Sequence, residues 1–248
     1  MSQPEDHFGE AVAAEYDETS DAMFDAAAVD PVVELLAGYA AGGRALELGI
    51  GTGRIALPLA ARGVEVVGID LSSAMVDRLR GKPGGERIPV TIGDFSTTTV
   101  DGSFRLAYIV WNTIMNVTTQ AGQVATFRNA ARHLEPGGHF VLEVGVPAIQ
   151  RLPPGERYVV FDASDEHWGV DEYDVLHQGL VSHHFQRRGG AMFEASSGPF
   201  RYAWPAELDL MAQLAGLEFS ERWAGWRHEP FTGESTSHVS VWQKPARG

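Results

Sequence analysis

The chain has 248 residues, with 33 Asp and Glu against 19 Lys and Arg and a formal charge of −14 at pH 7, a balance that disfavours nucleic-acid phosphates and anionic membranes as partners. Its 44% hydrophobic and 21% charged residues describe a globular sequence of one or two domains, not a disordered one. It contains no cysteine, which excludes disulfides, thiolate metal ligands and a cysteine nucleophile.

The acidic start, MSQPEDHFGE, lacks the basic-then-apolar pattern of a secretory signal. No apolar run approaches the ~18 residues that a membrane span needs, so a soluble cytoplasmic protein is expected. Strands and helices then alternate. Residues 44–48 (RALEL) read as a short strand running into glycines, and 54–62 have helical spacing. Residues 64–70 form a β-branched strand ending in an acid. Residues 71–80 form a helix that Ser72 or Ser73 caps and whose apolar face is Met75, Val76 and Leu79. Residues 88–92 and 104–111 give strands three and four. A helix over 120–134 stops at Glu135-Pro136-Gly137-Gly138, and 139–146 is strand five. Such alternation implies parallel βαβ crossovers, hence a doubly wound α/β core.

After Pro147 the period changes. From Arg157 to Trp204 short alternating pieces rich in aromatic residues are broken at Asp165, Gly169, Gly179, Gly189-Gly190 and Gly198-Pro199, which predicts an inserted antiparallel sheet of three or four strands. Pro205 opens a helix with Leu208, Met211, Ala212 and Ala215 on one face and Gly216 as its stop. Strands near 217–224 and 237–243 close the sheet.

The most informative segment is Glu47-Leu48-Gly49-Ile50-Gly51-Thr52-Gly53-Arg54, between a strand and a helix. Glycines there let the backbone turn tightly and approach a ligand, while the next helix presents unpaired N–H groups. Arg54 stands where a dinucleotide fingerprint places its third glycine. Asp70 ends strand two about 20 residues on, placed to accept both hydroxyls of an adenosine ribose. Gly93-Asp94-Phe95 closes strand three with a second acid, suited to the adenine amino group, and an aromatic that can cover the base.

With these motifs, and with LEPGGHFVLEV and the closing helix and hairpin, the sequence resembles the class I S-adenosylmethionine-dependent methyltransferases of small-molecule type over most of its length. The resemblance implies a Rossmann-like seven-stranded sheet of order 3-2-1-4-5-7-6 with only strand seven antiparallel. It assigns Glu47 and the loop Gly49, Ile50, Gly51, Gly53 and Arg54 to the methionine part of the cofactor. Asp70 goes to the ribose, Leu71 and Phe95 to the adenine faces, and Gly93 and Asp94 to its edge. Residues 1–146 and 205–248 become the cofactor-binding core, with 1–30 as an amino-terminal lid, and 147–204 the insert. Arg105 departs from the family, which often has Asp there, at a position away from the cofactor.

Methyl transfer from a sulfonium is an in-line displacement that needs alignment and no metal. The acceptor is expected over the carboxyl ends of strands four and five. Trp111 either walls the cofactor or is a buried sheet aromatic, and Asn112 or Asn116 either orients an acceptor or caps backbone. Glu143 faces the cleft or a core ion pair. Tyr16 closes over the methionine moiety or anchors a surface helix. Neighbouring His183 and His184 point to opposite faces, so one inward histidine, entered as His183, is a candidate base. The aromatic insert is a substrate lid or a dimer surface, and its His183, His184 and Arg201 offer polar groups to an acceptor. The expected reaction is methylation of nitrogen or oxygen on a small organic molecule by a monomer or homodimer, leaving S-adenosylhomocysteine. The rivals are a cofactor-binding sensor without turnover and a nucleotide-dependent oxidoreductase, the latter disfavoured by Arg54.

Overall fold

The β-branched runs line up as one parallel sheet in a computed structural model of the chain, which describes residues 23–188 and 192–246 together with Gly9, Glu10, Ala13 and Tyr16. In chain order the core strands are β1 (Ala45–Leu48), β2 (Val66–Asp70), β3 (Val90–Ile92), β4 (Phe104–Ile109) and β5 (Leu134–Gly145). An inserted sheet follows as β6 (Tyr158–Ala163), β7 (His167–Asp174), β8 (Gly179–Arg188) and β9 (Met192–Arg201), and β10 (Glu218–Trp223) and β11 (Ser237–Gln243) return to the core. The seven-stranded sheet has the order β10-β11-β5-β4-β1-β2-β3. Its pairs are parallel except those of β11, which runs against both β5 and β10. This is the expected order, with the last strand reversed.

Helices α1 (Ala26–Ala40), α2 (Ala56–Ala61) and α3 (Ser73–Arg80) cover one part of the sheet, and α4 (Gln120–His133) and α5 (Pro205–Leu214) another. Ser72 caps α3, its Oγ accepting from Met75 N at 3.3 Å, and Met75, Val76 and Leu79 are buried as their spacing predicts. Alternation along each strand splits the core in two. Leu46, Leu48, Ala107 and Ile109 face a cluster in which Phe127, Phe140 and Trp242 meet ring to ring. Ala45, Leu106, Tyr108 and Val110 face α1 and α2. Burying each of the large side chains contributes about 1.5–3 kcal/mol.

Two elements differ from the sequence reading. Helix α1 was not expected, and its first residues fall within the stretch assigned to the lid. Val29, Val32, Val33, Leu36 and Ala40 form its buried stripe, and Pro31, which normally argues against a helix, is tolerated near its start. The carbonyl that Pro31 leaves without a helical donor, Ala27 O, accepts from Arg227 Nη2 at 3.4 Å. Strand β5 also begins at Leu134 and not at His139, because Gly137 and Gly138 continue the ladder with Lys244 through two bonds of 2.8 Å.

The insert has four strands in the order β6-β7-β8-β9, all antiparallel. One face docks on the core, where Tyr173, Leu180 and Tyr202 pack with Met115 and Ile149 beside the carboxyl ends of β4 and β5. A buried polar knot completes the joint. Arg201, 4% exposed, donates to Gln123 Oε1 on α4, to Gln178 Oε1 at 3.0 Å and to Glu207 Oε1 on α5 at 2.7 Å. Arg201 is therefore a fastening of the insert and not an acceptor-facing group.

Candidate active site

Strand β1 delivers Glu47 into the interior and then turns through Gly49, Gly51 and Gly53, whose φ angles are +85°, +54° and +80°. These are left-handed conformations that side-chain-bearing residues adopt only under strain. At Gly51 a Cβ would meet nothing within 4 Å among the described residues, so this backbone borders open space of the kind a ligand fills. Asp70 closes the loop from β2. Its Oδ2 accepts from Gly51 N at 2.6 Å and its Oδ1 from Ser72 N at 2.9 Å, so loop, acid and helix start form one rigid unit. Asp94 is held in a turn by Ser96 N at 2.8 Å, and Gly93 N donates to Asp70 O at 2.8 Å. Phe95 is buried, its ring edge toward Gly49. Leu71, Ile92 and Trp111 are instead large apolar side chains left 37%, 46% and 43% exposed around the loop, which is how an apolar wall for a flat base presents itself without its ligand.

Glu47 is 2% exposed, and its Oε2 accepts from Tyr108 Oη at 2.9 Å. Burial pushes its carboxyl up to about 8, although the Tyr108 hydroxyl and the positive charge of Arg54 oppose this. The free site thus holds a carboxylic acid that a neighbouring cation would ionise. The Arg54 guanidinium carbon lies 4.8 Å from the centre of the Trp111 ring, and Nη1 donates to Met23 O at 3.4 Å. The arrangement joins the glycine loop to strand four's end across the site. Tyr108 was not singled out from the sequence, although it stands directly beside Glu47 on the neighbouring strand.

Beyond β4, Trp111 and Asn112 have φ of +57° and +58°. Two successive side-chain-bearing residues in this region cost about 1–3 kcal/mol each. Two bonds to β5 hold them: Glu143 Oε2 accepts from Trp111 N at 2.9 Å, and Asn112 Oδ1 from Gly145 N at 2.6 Å. Among the described residues Asn116 donates only locally, to Thr113 O at 3.2 Å. Glu143, Asn112 and Trp111 are therefore brought together at the carboxyl edge. Tyr16 is half-buried in a helical turn, and most of the expected lid lies outside the described residues.

His183 and His184 do face opposite sides, but His184 shares the docked face with Tyr173 and Leu180. His183 lies on the other, with Nδ1 2.8 Å from Ser197 Oγ and Nε2 3.6 Å from Glu172 Oε2. Its placement away from the cleft side corrects the expectation of an inward His183. Among the described residues no three His, Cys, Asp or Glu side chains converge as for a metal ion, and no helix is long and apolar enough to cross a membrane.

Comparison with known proteins agrees with this geometry. Residues 45–138 match the family model described as a methyltransferase domain. The chain is 30% identical over 239 residues to the cypemycin N-terminal methyltransferase of a Streptomyces species, an alignment covering 92% of this chain and 97% of the relative. Among solved structures, the CcbJ methyltransferase of Streptomyces caelestis superposes with a TM-score of 0.79 at 36% identity, over 87% of this chain and 89% of that one. The S-adenosylmethionine-bound amino pentose methyltransferase CalS10 of Micromonospora echinaspora shares the fold with a TM-score of 0.69 at 20% identity, over 92% and 96%.

Proposed function

The chain belongs to the S-adenosylmethionine-dependent methyltransferases, and on that premise we propose that it methylates an amine nitrogen, or failing that a hydroxyl oxygen, of a small organic molecule. Supporting the amine is the acidic character of the acceptor side: Glu143 closes β5 beside the strained Trp111-Asn112 turn, and Asp171 lies half-buried on the docked side of the insert. One relative is named for methylation at an N-terminus and one structural neighbour for an amino pentose.

For the cofactor, Glu47 with Gly49, Ile50, Gly51, Gly53 and Arg54 receives the methionine part, whose ammonium would ionise the buried Glu47 carboxyl. Asp70 receives the ribose, Leu71 and Phe95 the base faces, Gly93 and Asp94 the base edge, and Trp111 covers the rim. The bound cofactor supplies an electrophilic methyl group, and this chain's residues hold donor and acceptor in line and exclude water. The part of residues 1–30 ahead of α1 acts as lid, with Tyr16 over the methionine end, and 147–204 select the acceptor. Nucleic acid is not a partner in this reading, and the enzyme works in the cytoplasm as a monomer or homodimer.

Release of S-adenosylhomocysteine from the purified protein, measured over panels of small amines, phenols and carboxylic acids, tests the proposal. Turnover confined to amines is expected. Turnover confined to carboxylic acids, or none on any panel despite cofactor binding, would overturn it.

A further inference from the structure

The insert carries a hydrogen-bonded chain of titratable groups that the cofactor loop does not use. Asp171 and Ser182 are cross-strand partners, one pair further along the same face than Tyr173 and Leu180, which pack beside the carboxyl ends of β4 and β5. Their side chains therefore stand side by side, the Ser182 hydroxyl next to the Asp171 carboxyl. Ser182 Oγ is 3.2 Å from His184 Nε2, His184 Nδ1 is 3.0 Å from His167 Nε2, and His167 Nδ1 is 2.6 Å from Asp162 Oδ2. A bulge between Val160 and Asp162 brings Asp162 to this face. The Phe161 ring, 6.1 Å from His167 and 5.4 Å from His184 between centroids, roofs both imidazoles. Gly169 makes this possible, since a Cβ there would collide with the Phe161 ring.

Counting donors gives the chain a direction. A carboxylate only accepts, so His167 Nδ1 carries a proton toward Asp162, and neutral His167 then accepts at Nε2. His184 must in turn donate from Nδ1 and accept at Nε2, from the Ser182 hydroxyl. The Ser182 oxygen can still accept, so an Asp171 carboxylate that has taken up a proton can pass it there. Moving each proton one step along the line gives a second state with the same number of protons: Asp171 ionised and His167 an imidazolium against Asp162. Burial raises Asp171 and lowers His184, while the bond from His167 holds Asp162 below the usual carboxylate range. These shifts agree with a neutral His184 between an inner acid and an outer anion.

We propose that Asp171 takes the proton that the methyl acceptor loses, and that Ser182, His184 and His167 pass it to the rim of the insert at Asp162. This rests on the reading of the acceptor as an N–H or O–H group. In the balanced step, the acceptor's N–H or O–H proton goes to the Asp171 carboxylate. The lone pair of its nitrogen or oxygen bonds to the methyl carbon, and the carbon–sulfur electron pair returns to sulfur. One relay step then leaves Asp171 ionised again, with the proton on His167, from which water takes it. Asp171 is the catalytic residue here, and Ser182, His184 and His167 are positioning residues that act through it. The other charged groups near the line are His183 and Tyr173 beside Asp171, Arg151 beside Tyr173, and Glu172 with Arg157 on the outer face. Beyond His184, β9 places Glu194 across from Gln186.

Nitrogen-15 NMR of the histidine rings tests the relay in the full-length protein without any acceptor. Asp171→Asn is expected to move the ring-nitrogen shifts of His167, which it does not contact, because the proton line then starts from an amide. Ser182→Ala is expected to abolish that response, so that adding Asp171→Asn to it changes nothing further. Ring-nitrogen shifts of His167 indifferent to Asp171→Asn, or equally responsive with and without Ser182, overturn the relay. With an acceptor from the panels, Asp171→Asn should lower kcat about 100-fold and remove the low-pH limb of the profile, with S-adenosylmethionine affinity kept within about twofold. Wild-type kcat and pH profile in that variant would also overturn it. If no panel compound is methylated, the amine reading fails while the NMR result still decides the relay.

Discussion

The two halves of the catalytic cleft are built over different distances along the chain. On the cofactor side the loop acids are fixed by neighbours, with the Glu47–Tyr108 bond across 61 residues as the exception: Asp70 binds N–H groups 19 and two residues away, and Asp94 one two residues away. On the acceptor side the fastenings are long. Asn112 reaches Gly145 across 33 residues, and Arg201 reaches Gln123 across 78. A site closed by local turns holds its shape as long as a few strands persist. One closed by long-range bonds can be re-aimed by changing the insert, which suits a fold that keeps one donor while varying its acceptor.

Breaking the long-range side should have the largest effect on stability. Arg201→Ala removes one partner of a buried charge pair with Glu207 and takes the donor from Gln123 Oε1 and Gln178 Oε1, so chemical denaturation should show a loss of about 3–5 kcal/mol, with the insert opening first in hydrogen exchange. Gly51→Val should leave the circular dichroism native but weaken S-adenosylmethionine binding by roughly 100-fold, or about 3 kcal/mol, because a side chain would occupy the open space beside the loop. Asp70→Ala should weaken it by about 1–3 kcal/mol.

The remaining effects are in protons. With Glu47 raised to about 8, the free protein gains stability from the protonated carboxyl below its unfolded value near 4.5, and that gain is lost as pH rises toward 8. Binding a cationic cofactor at pH 7 should therefore release up to one proton, visible as a dependence of the binding enthalpy on buffer ionisation. Glu47→Gln should remove that dependence. His238 has the opposite sign. Buried and beside Arg222, it is lowered to about 4, so its unfolded form binds protons first, and stability should fall from pH 6.5 toward 4 by at most about 1.4 kcal/mol per unit.

The same difference in distance explains what the sequence disclosed. The glycine loop, Asp70 and the cap at Ser72 are local patterns, and each stands where its spacing puts it. The opposite faces of His183 and His184 followed from the period of a strand, but which histidine turns toward the core depends on how the hairpins register against Met115 and Ile149. No local pattern carries that. Arg201 looked available to an acceptor because its partners lie on α4, on α5 and in the turn before β8. The left-handed Trp111-Asn112 turn gave no signal, since the bonds that hold its backbone come from β5, more than 30 residues away. Helix α1 was legible in its apolar spacing and was hidden by Pro31, and the carbonyl that Pro31 orphans, Ala27 O, is satisfied by Arg227 from near the other end of the chain.

Titration calorimetry of S-adenosylmethionine into the wild-type protein, Gly51→Val and Asp171→Asn tests most directly whether donor and acceptor sides are separately built. Wild type and Asp171→Asn should bind alike, and Gly51→Val hardly at all. Loss of the cofactor in Asp171→Asn to the degree seen in Gly51→Val, with both proteins folded, would contradict the account.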